Sequence, residues 1–213
     1  MESFLPESFN IASLIVFGAL GLLSLLAIAV AIYKWVQFMM LGVGRRKRAE
    51  EILDNWLSGR ADLALQQAQK RKSVLARILQ AVFSGVQAKP GDSTYAEELG
   101  RQTAIIELAT MTDRMRTLEM VVQAAPMLGL LGTVIGMIDA FSALAVAEGA
   151  VDPTILAAGI YTALTTTAAG LAIALVAYFV ANYFESRIER ERNMIETVIS
   201  AAIHGRLDPT KKL

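Results

Sequence analysis

Six side chains in the apolar part of this chain could handle a proton. Four threonine hydroxyls fall within six residues, at Thr162, Thr165, Thr166 and Thr167; a fifth stands alone at Thr133, and a carboxylate follows at Asp139. A hydroxyl can donate and accept hydrogen bonds without ionising, so a row of them suits the wall of a hydrated proton path. A carboxylate can take up and release the proton itself. One threonine in an apolar helix is ordinarily satisfied by bonding back to the preceding turn, but four so close together exceed what that explains. Soluble catalysis has no comparable support. The one histidine, His204, lacks a cysteine or carboxylate companion, and no phosphate loop or metal-ligand spacing appears. No enzyme activity and no cofactor are expected.

These groups lie in runs long enough to cross a bilayer, which takes about 20 residues. Residues 11–33 carry no charge, residues 121–147 carry only Asp139, and residues 154–184 carry none over 31 positions. The last run would be ~46 Å long as a helix at 1.5 Å per residue, so it must tilt or project from the membrane. The fold class expected is an all-α integral membrane protein with three transmembrane helices and long cytoplasmic helical extensions. All 20 Lys and Arg lie at Lys34 or beyond and outside the second and third runs. The positive-inside bias therefore puts residues 1–10 and the connector 148–153 in the periplasm, with 34–120 and the tail 185–213 in the cytoplasm. The basic run Arg45-Arg46-Lys47-Arg48 reads as an anchor to anionic lipid rather than a nucleic-acid site. No basic residue precedes the first run, which is also too long for the core of a cleaved signal peptide.

The cytoplasmic stretch reads as helical, with breaks at Gly59 and at Pro90-Gly91. Thr94-Tyr95-Ala96-Glu97 has the form of a capping box. From there only Gly100 interrupts a helical pattern before the second apolar run, so one continuous helix is expected from about 94 to about 147, bent or loosened at Pro126. The tail continues the third span as an amphipathic helix over 185–202. In the second span Ala125, Gly129, Gly132, Gly136 and Ala140 recur every three to four residues, a small-residue stripe that lets another backbone come close. The connector permits only an antiparallel hairpin, with Asp152 as cap and Pro153 in the first turn. Counted along that hairpin, Thr133 lies ~18 Å up the second span and Thr167 ~20 Å down the third, so the two hydroxyls are expected at matching depth near mid-membrane. Asp139, ~27 Å along, is either an interfacial carboxylate facing a neighbouring subunit or a proton-entry group at the outer mouth.

The strings A-P-M-L-G-L-L-G-T-V-I-G-M (125–137) and A-L-T-T-T-A-A-G-L (163–171) resemble the MotA/TolQ/ExbB proton-channel family, in its ExbB/TolQ branch. The resemblance implies a homopentameric ring lined by spans two and three, around a dimer of single-span partners of the ExbD/TolR type, with a TonB-like periplasm-spanning protein as a further partner. It gives Thr133 and Thr167 the two pore-facing threonine positions, with Thr166, Thr162 and Asp139 along the same path. Ala125, Gly129, Gly132, Gly136 and Gly170 become the close-packed surface around the partner helices. Two positions depart from the branch: Thr162 stands where relatives usually carry a glutamate, and Val176 where they commonly have a proline. The implied function is conversion of proton motive force at the bacterial inner membrane into work in the partner, first of all ExbB-like energisation of outer-membrane transport. TolQ-like envelope maintenance and a motor stator share that mechanism. A non-conducting scaffold, whose small residues serve only helix packing, is the alternative of another class.

Overall fold

The computed structural model describes residues 11–71, 73–146 and 153–205. These residues form seven helices and no strand: α1 (Ile11–Leu41), α2 (Arg46–Leu57), α3 (Ala61–Gln69), α4 (Val74–Ala88), α5 (Ser93–Thr112), α6 (Met115–Val146) and α7 (Pro153–His204). The three runs expected to span a membrane lie in α1, α6 and α7, each long and apolar enough to cross one. The described residues divide into two compact units. One comprises the chain up to Ile32 with Arg114–Asn182; the other comprises Tyr33–Asp113 and the chain from Tyr183 onward.

The two units are packed by opposite rules. In the first, the buried side chains are mostly small, among them Ala125, Ala140, Ala163, Ala174, Ala177 and Ala181, while Leu22, Met127, Leu130, Phe141, Leu164 and Leu175 are exposed. Lipid tails are as apolar as leucine, so large side chains gain little by turning inward, and helices associate through the residues that let backbones approach. In the second unit the core holds Ile52, Leu53, Ile78, Leu79, Val82, Phe83 and Ile195, all buried, as water demands. Trp56 stacks on Phe83 with ring centroids 4.0 Å apart and donates its indole N–H to the Ala202 carbonyl at 3.0 Å, fastening the end of α7 to this core.

Several boundaries follow the sequence. Gly59 and Gly91 both take left-handed backbone angles (φ 77° and 92°), which ends α2 and separates α4 from α5. Pro153 opens α7. The amphipathic tail is helical to His204, with Met194, Ile195, Val198 and Ile199 buried. The expected cap at Asp152 and the segments 1–10, 147–152 and 206–213 lie outside the described residues.

Three expectations are corrected. The cap of α5 is Asp92, whose carboxylate accepts from the Tyr95 amide at 3.0 Å, two residues before the predicted capping box. Residues 49–88 break a second time, between α3 and α4. The single helix from 94 to 147 is interrupted at Asp113 and Arg114, and Arg114 adopts φ 62°. A left-handed non-glycine residue costs about 1–2 kcal/mol, so this break needs support from elsewhere. The support comes from α1. Lys34, fully buried, places its ammonium 2.5 Å from the Met111 carbonyl, 2.9 Å from that of Asp113 and 2.9 Å from Gln37 Oε1. Gln37 in turn donates to the Thr110 carbonyl at 2.9 Å. A cation here also suits the negative end of the α5 dipole.

Candidate functional site

The small-residue stripe of α6 is buried along its whole length, at Ala125, Gly129, Gly132, Gly136 and Ala140. Its neighbour is α7 of the same chain. A Cβ added at Gly129 would lie 3.0 Å from the Thr166 carbonyl oxygen, one at Gly132 2.5 Å from Thr166 Oγ1, and one at Gly136 2.9 Å from Ala163 Cβ. From the other side, a Cβ at Gly170 would come within 2.5 Å of the Ala125 carbonyl oxygen and one at Gly159 within 2.6 Å of Ala140 Cβ. Partners descend α7 as they ascend α6, so the pair is an antiparallel hairpin. The resemblance assigned this stripe, with Gly170, to the helices of a partner; within the chain it is filled by α7.

Close approach brings hydroxyls onto backbone. Thr167 Oγ1 donates across the contact to the Gly129 carbonyl at 2.9 Å. Thr166 Oγ1, fully buried, lies 3.2 Å from the same carbonyl and 2.6 Å from that of Ala163. Gly129, with Gly170 opposite it, lets the neighbouring helix come near enough for the Gly129 carbonyl to be shared in this way. Thr162, also buried, donates to Ala158 at 3.0 Å, and Thr165 to Tyr161 at 2.8 Å. Every one of these hydroxyl protons is thus committed to a carbonyl. Thr162 and Thr166 are enclosed within the hairpin; the part-exposed Thr165 and Thr167 oxygens retain acceptor capacity for a water or a protonated carboxyl group.

Thr133 stands apart from that cluster. Its hydroxyl donates to Leu130 on its own helix at 2.6 Å. The residue lines an open groove of about 610 Å³ with Val134, Met137, Ile138, Phe141, Ser142 and Ala145. The neighbouring Gly132 packs on Thr166, so the expected match in depth is present, but the Thr133 and Thr167 hydroxyls bond to different carbonyls rather than to each other. Asp139 is half-buried, next to the buried Ala140. Among the described residues no group of three or more histidine, aspartate or glutamate side chains is placed to hold a metal.

Among the described residues three buried charged groups escaped the sequence reading: Lys34, Glu191, and Glu107, which pairs with Arg77. Lys34 looked like the first residue of the cytoplasmic flank. Glu191 sits on the otherwise apolar face of α7, and its Oε2 accepts from the Gly44 amide at 3.1 Å. Burial pushes its pKa above the usual glutamate range, against the opposing pull of the Gly44 hydrogen bond and the Arg46 and Arg187 charges. The only sequence signal was a carboxylate three residues before Met194 and four before Ile195 on one helical face.

Comparison with known proteins adds to this geometry. The profile of the MotA/TolQ/ExbB proton channel family matches residues 49–197, from α2 into the last turns of α7. An ExbB homologue of Methanothermobacter thermautotrophicus is 41% identical over 102 residues, covering 48% of this chain and 36% of that protein. The biopolymer transport protein exbB1 of Vibrio cholerae is 46% identical over 63 residues, 30% of this chain and 28% of its own length. An ExbB-like protein of Synechocystis is 26% identical over 174 residues, 81% of each chain. The more similar alignments thus span about a third of those relatives' length. The matched region contains both the α6 stripe and the α7 threonines, and over it the chain belongs to the MotA/TolQ/ExbB proton channel family, a family of channels rather than enzymes, as an ExbB-like membrane protein.

Proposed function

We propose that this chain is the ring-forming subunit of a proton-driven motor in the bacterial inner membrane, which energises transport at the outer membrane as ExbB-type proteins do. The observation that carries the reading is the pair of part-exposed threonine oxygens at similar level, Thr167 on α7 and Thr133 on α6, with their protons committed to carbonyls and their lone pairs left as acceptors. Such a wall favours a protonated carboxyl over a carboxylate, because only the former can donate to it. A single-span partner of the ExbD/TolR type, as a dimer inside a pentamer, would carry that carboxyl past the wall when neutral. The N-terminus faces the periplasm in this reading, and a TonB-like protein takes up the work. One proton crossing 100 mV delivers ~2.3 kcal/mol, and successive protons accumulate.

The test is Thr133→Val, with Thr167→Val beside it, in full-length chain co-expressed with the partner from its genetic neighbourhood. Valine keeps the volume and branching and removes the oxygen. Leaving a buried polar group unpaired costs ~1–3 kcal/mol, which slows proton passage roughly 5- to 150-fold where it falls on the rate-limiting barrier. Proton-dependent uptake should therefore fall in both variants, at unchanged expression. Normal activity in the double variant would remove the channel reading and favour a non-conducting scaffold.

A further inference from the structure

The interruption between α5 and α6 has no local cause. Residues 113 and 114 are Asp and Arg, with no glycine or proline nearby, and Arg114 is held at φ 62°. In a continuous helix the carbonyls of Thr110, Met111 and Asp113 would accept from the amides of residues 114, 115 and 117. Here two side chains of α1 replace those donors. Gln37 Nε2 reaches the Thr110 carbonyl at 2.9 Å, and Lys34 Nζ reaches Met111 at 2.5 Å and Asp113 at 2.9 Å. The Thr117 amide has turned instead to the Arg114 carbonyl at 3.2 Å. Each of these carbonyls therefore has two alternative donors, one on its own helix and one on α1. The Lys34 ammonium is enclosed, fully buried, 5.2 Å from the centroid of the Phe38 ring, which meets Phe184 edge-on. The Met111 and Asp113 carbonyls and Gln37 Oε1 all face this enclosed cation.

We propose that the Asp113–Arg114 junction is a two-state hinge with Lys34 as its catch: broken while the ammonium holds the Met111 and Asp113 carbonyls, and continuous when it lets go. Local sequence favours the continuous form and the tertiary contact favours the broken one, the balance a bistable element requires. Lys34 is a positioning residue in this account. It touches no proton path and acts only through the backbone of α5.

Amide hydrogen exchange at residues 114 and 115 reads the state directly, in the full-length protein in lipid nanodiscs. In Lys34→Met the hinge closes, those amides gain helical acceptors, and their exchange should slow at least tenfold. Adding Arg114→Gly, which removes the strain of the left-handed residue, should reopen the hinge and return exchange to the wild-type rate. A merely structural lysine predicts the reverse, with frayed, faster exchange in Lys34→Met. Faster or unchanged exchange in that variant overturns the proposal, as does slow exchange that persists in the double variant. If Lys34→Met does not accumulate, Gln37→Leu decides, because it frees the Thr110 carbonyl for the residue 114 amide: slower exchange at residue 114 than in wild type supports the hinge, and an unchanged or faster rate overturns it.

Discussion

Gly170 and Gly18 are both glycines within apolar helices, yet they should respond oppositely to alanine. A Cβ at Gly170 would meet the Ala125 carbonyl oxygen at 2.5 Å, a backbone atom that cannot swing aside, whereas Gly18 has nothing within 4 Å. Gly170→Ala must push α6 and α7 apart and should cost about 1–3 kcal/mol. Gly18→Ala should be neutral or gain up to ~0.8 kcal/mol of helix propensity. Denaturation in mixed micelles, followed by circular dichroism, compares the two. Glu191 carries a pH signature. Its pKa is raised in the folded chain, chiefly by burial, so the folded state binds the proton more tightly than the unfolded one. Its contribution to stability is therefore fully present below the ordinary value of about 4.5 and is lost as pH rises through the shifted value. Glu191→Gln, which keeps an oxygen for the Gly44 amide, should remove that part of the dependence. The thermal midpoint of the variant should gain on wild type as pH climbs from 4.5 toward neutrality, and parallel profiles would show that Glu191 does not titrate in that window.

Helix ends tell how far local sequence governs this fold. Asp92→Ala removes the side chain that caps α5 and should lower the stability of that unit by about 1 kcal/mol. Thr94→Ala, at an exposed side chain inside the first turn, should change it little; urea titration of both variants settles the order. The sequence pointed to a helix start within two residues but to the wrong side chain, because Asp and Thr both cap and only the turn after Pro90 decides which one faces the free amides. The α6 stripe and its antiparallel match to α7 were legible, since small residues at helical spacing state their own face and a short connector fixes the direction. The break at Arg114 was not legible. It depends on Lys34 and Gln37, more than 70 positions away, and nothing between 101 and 120 signals it. The roles of the hydroxyls were half legible. Their depth could be counted along the helices, but whether Thr133 faced α7 or the open groove depended on the rotation that Gly129 and Gly132 impose on the contact.

For the molecule as a whole, the two units have cores of opposite grain, small side chains inside the first and large apolar ones inside the second. The distribution of basic residues predicts a direction of insertion, and the absence of cysteine makes that testable. In spheroplasts, an impermeant maleimide should label Ala145→Cys from outside and reach Ser200→Cys only after lysis; the opposite pattern would invert the topology. The hairpin contact has a mechanical consequence. Its interlocking residues, Gly129, Gly132, Gly136 and Ala140 of α6 with Gly159, Ala163, Thr166 and Gly170 of α7, are turned toward one another. What α6 presents outward is Met127, Leu130, Leu131, Val134, Ile138 and Phe141, bulky and chemically uniform. Interdigitated small residues act as a ratchet, because backbone meets backbone at fixed spacing. A coat of long aliphatic side chains has no such teeth, and its rotamers can rearrange at little cost. A helix moving over that face would meet low friction, with Thr133 and Ser142 as polar detents on an otherwise greased bearing.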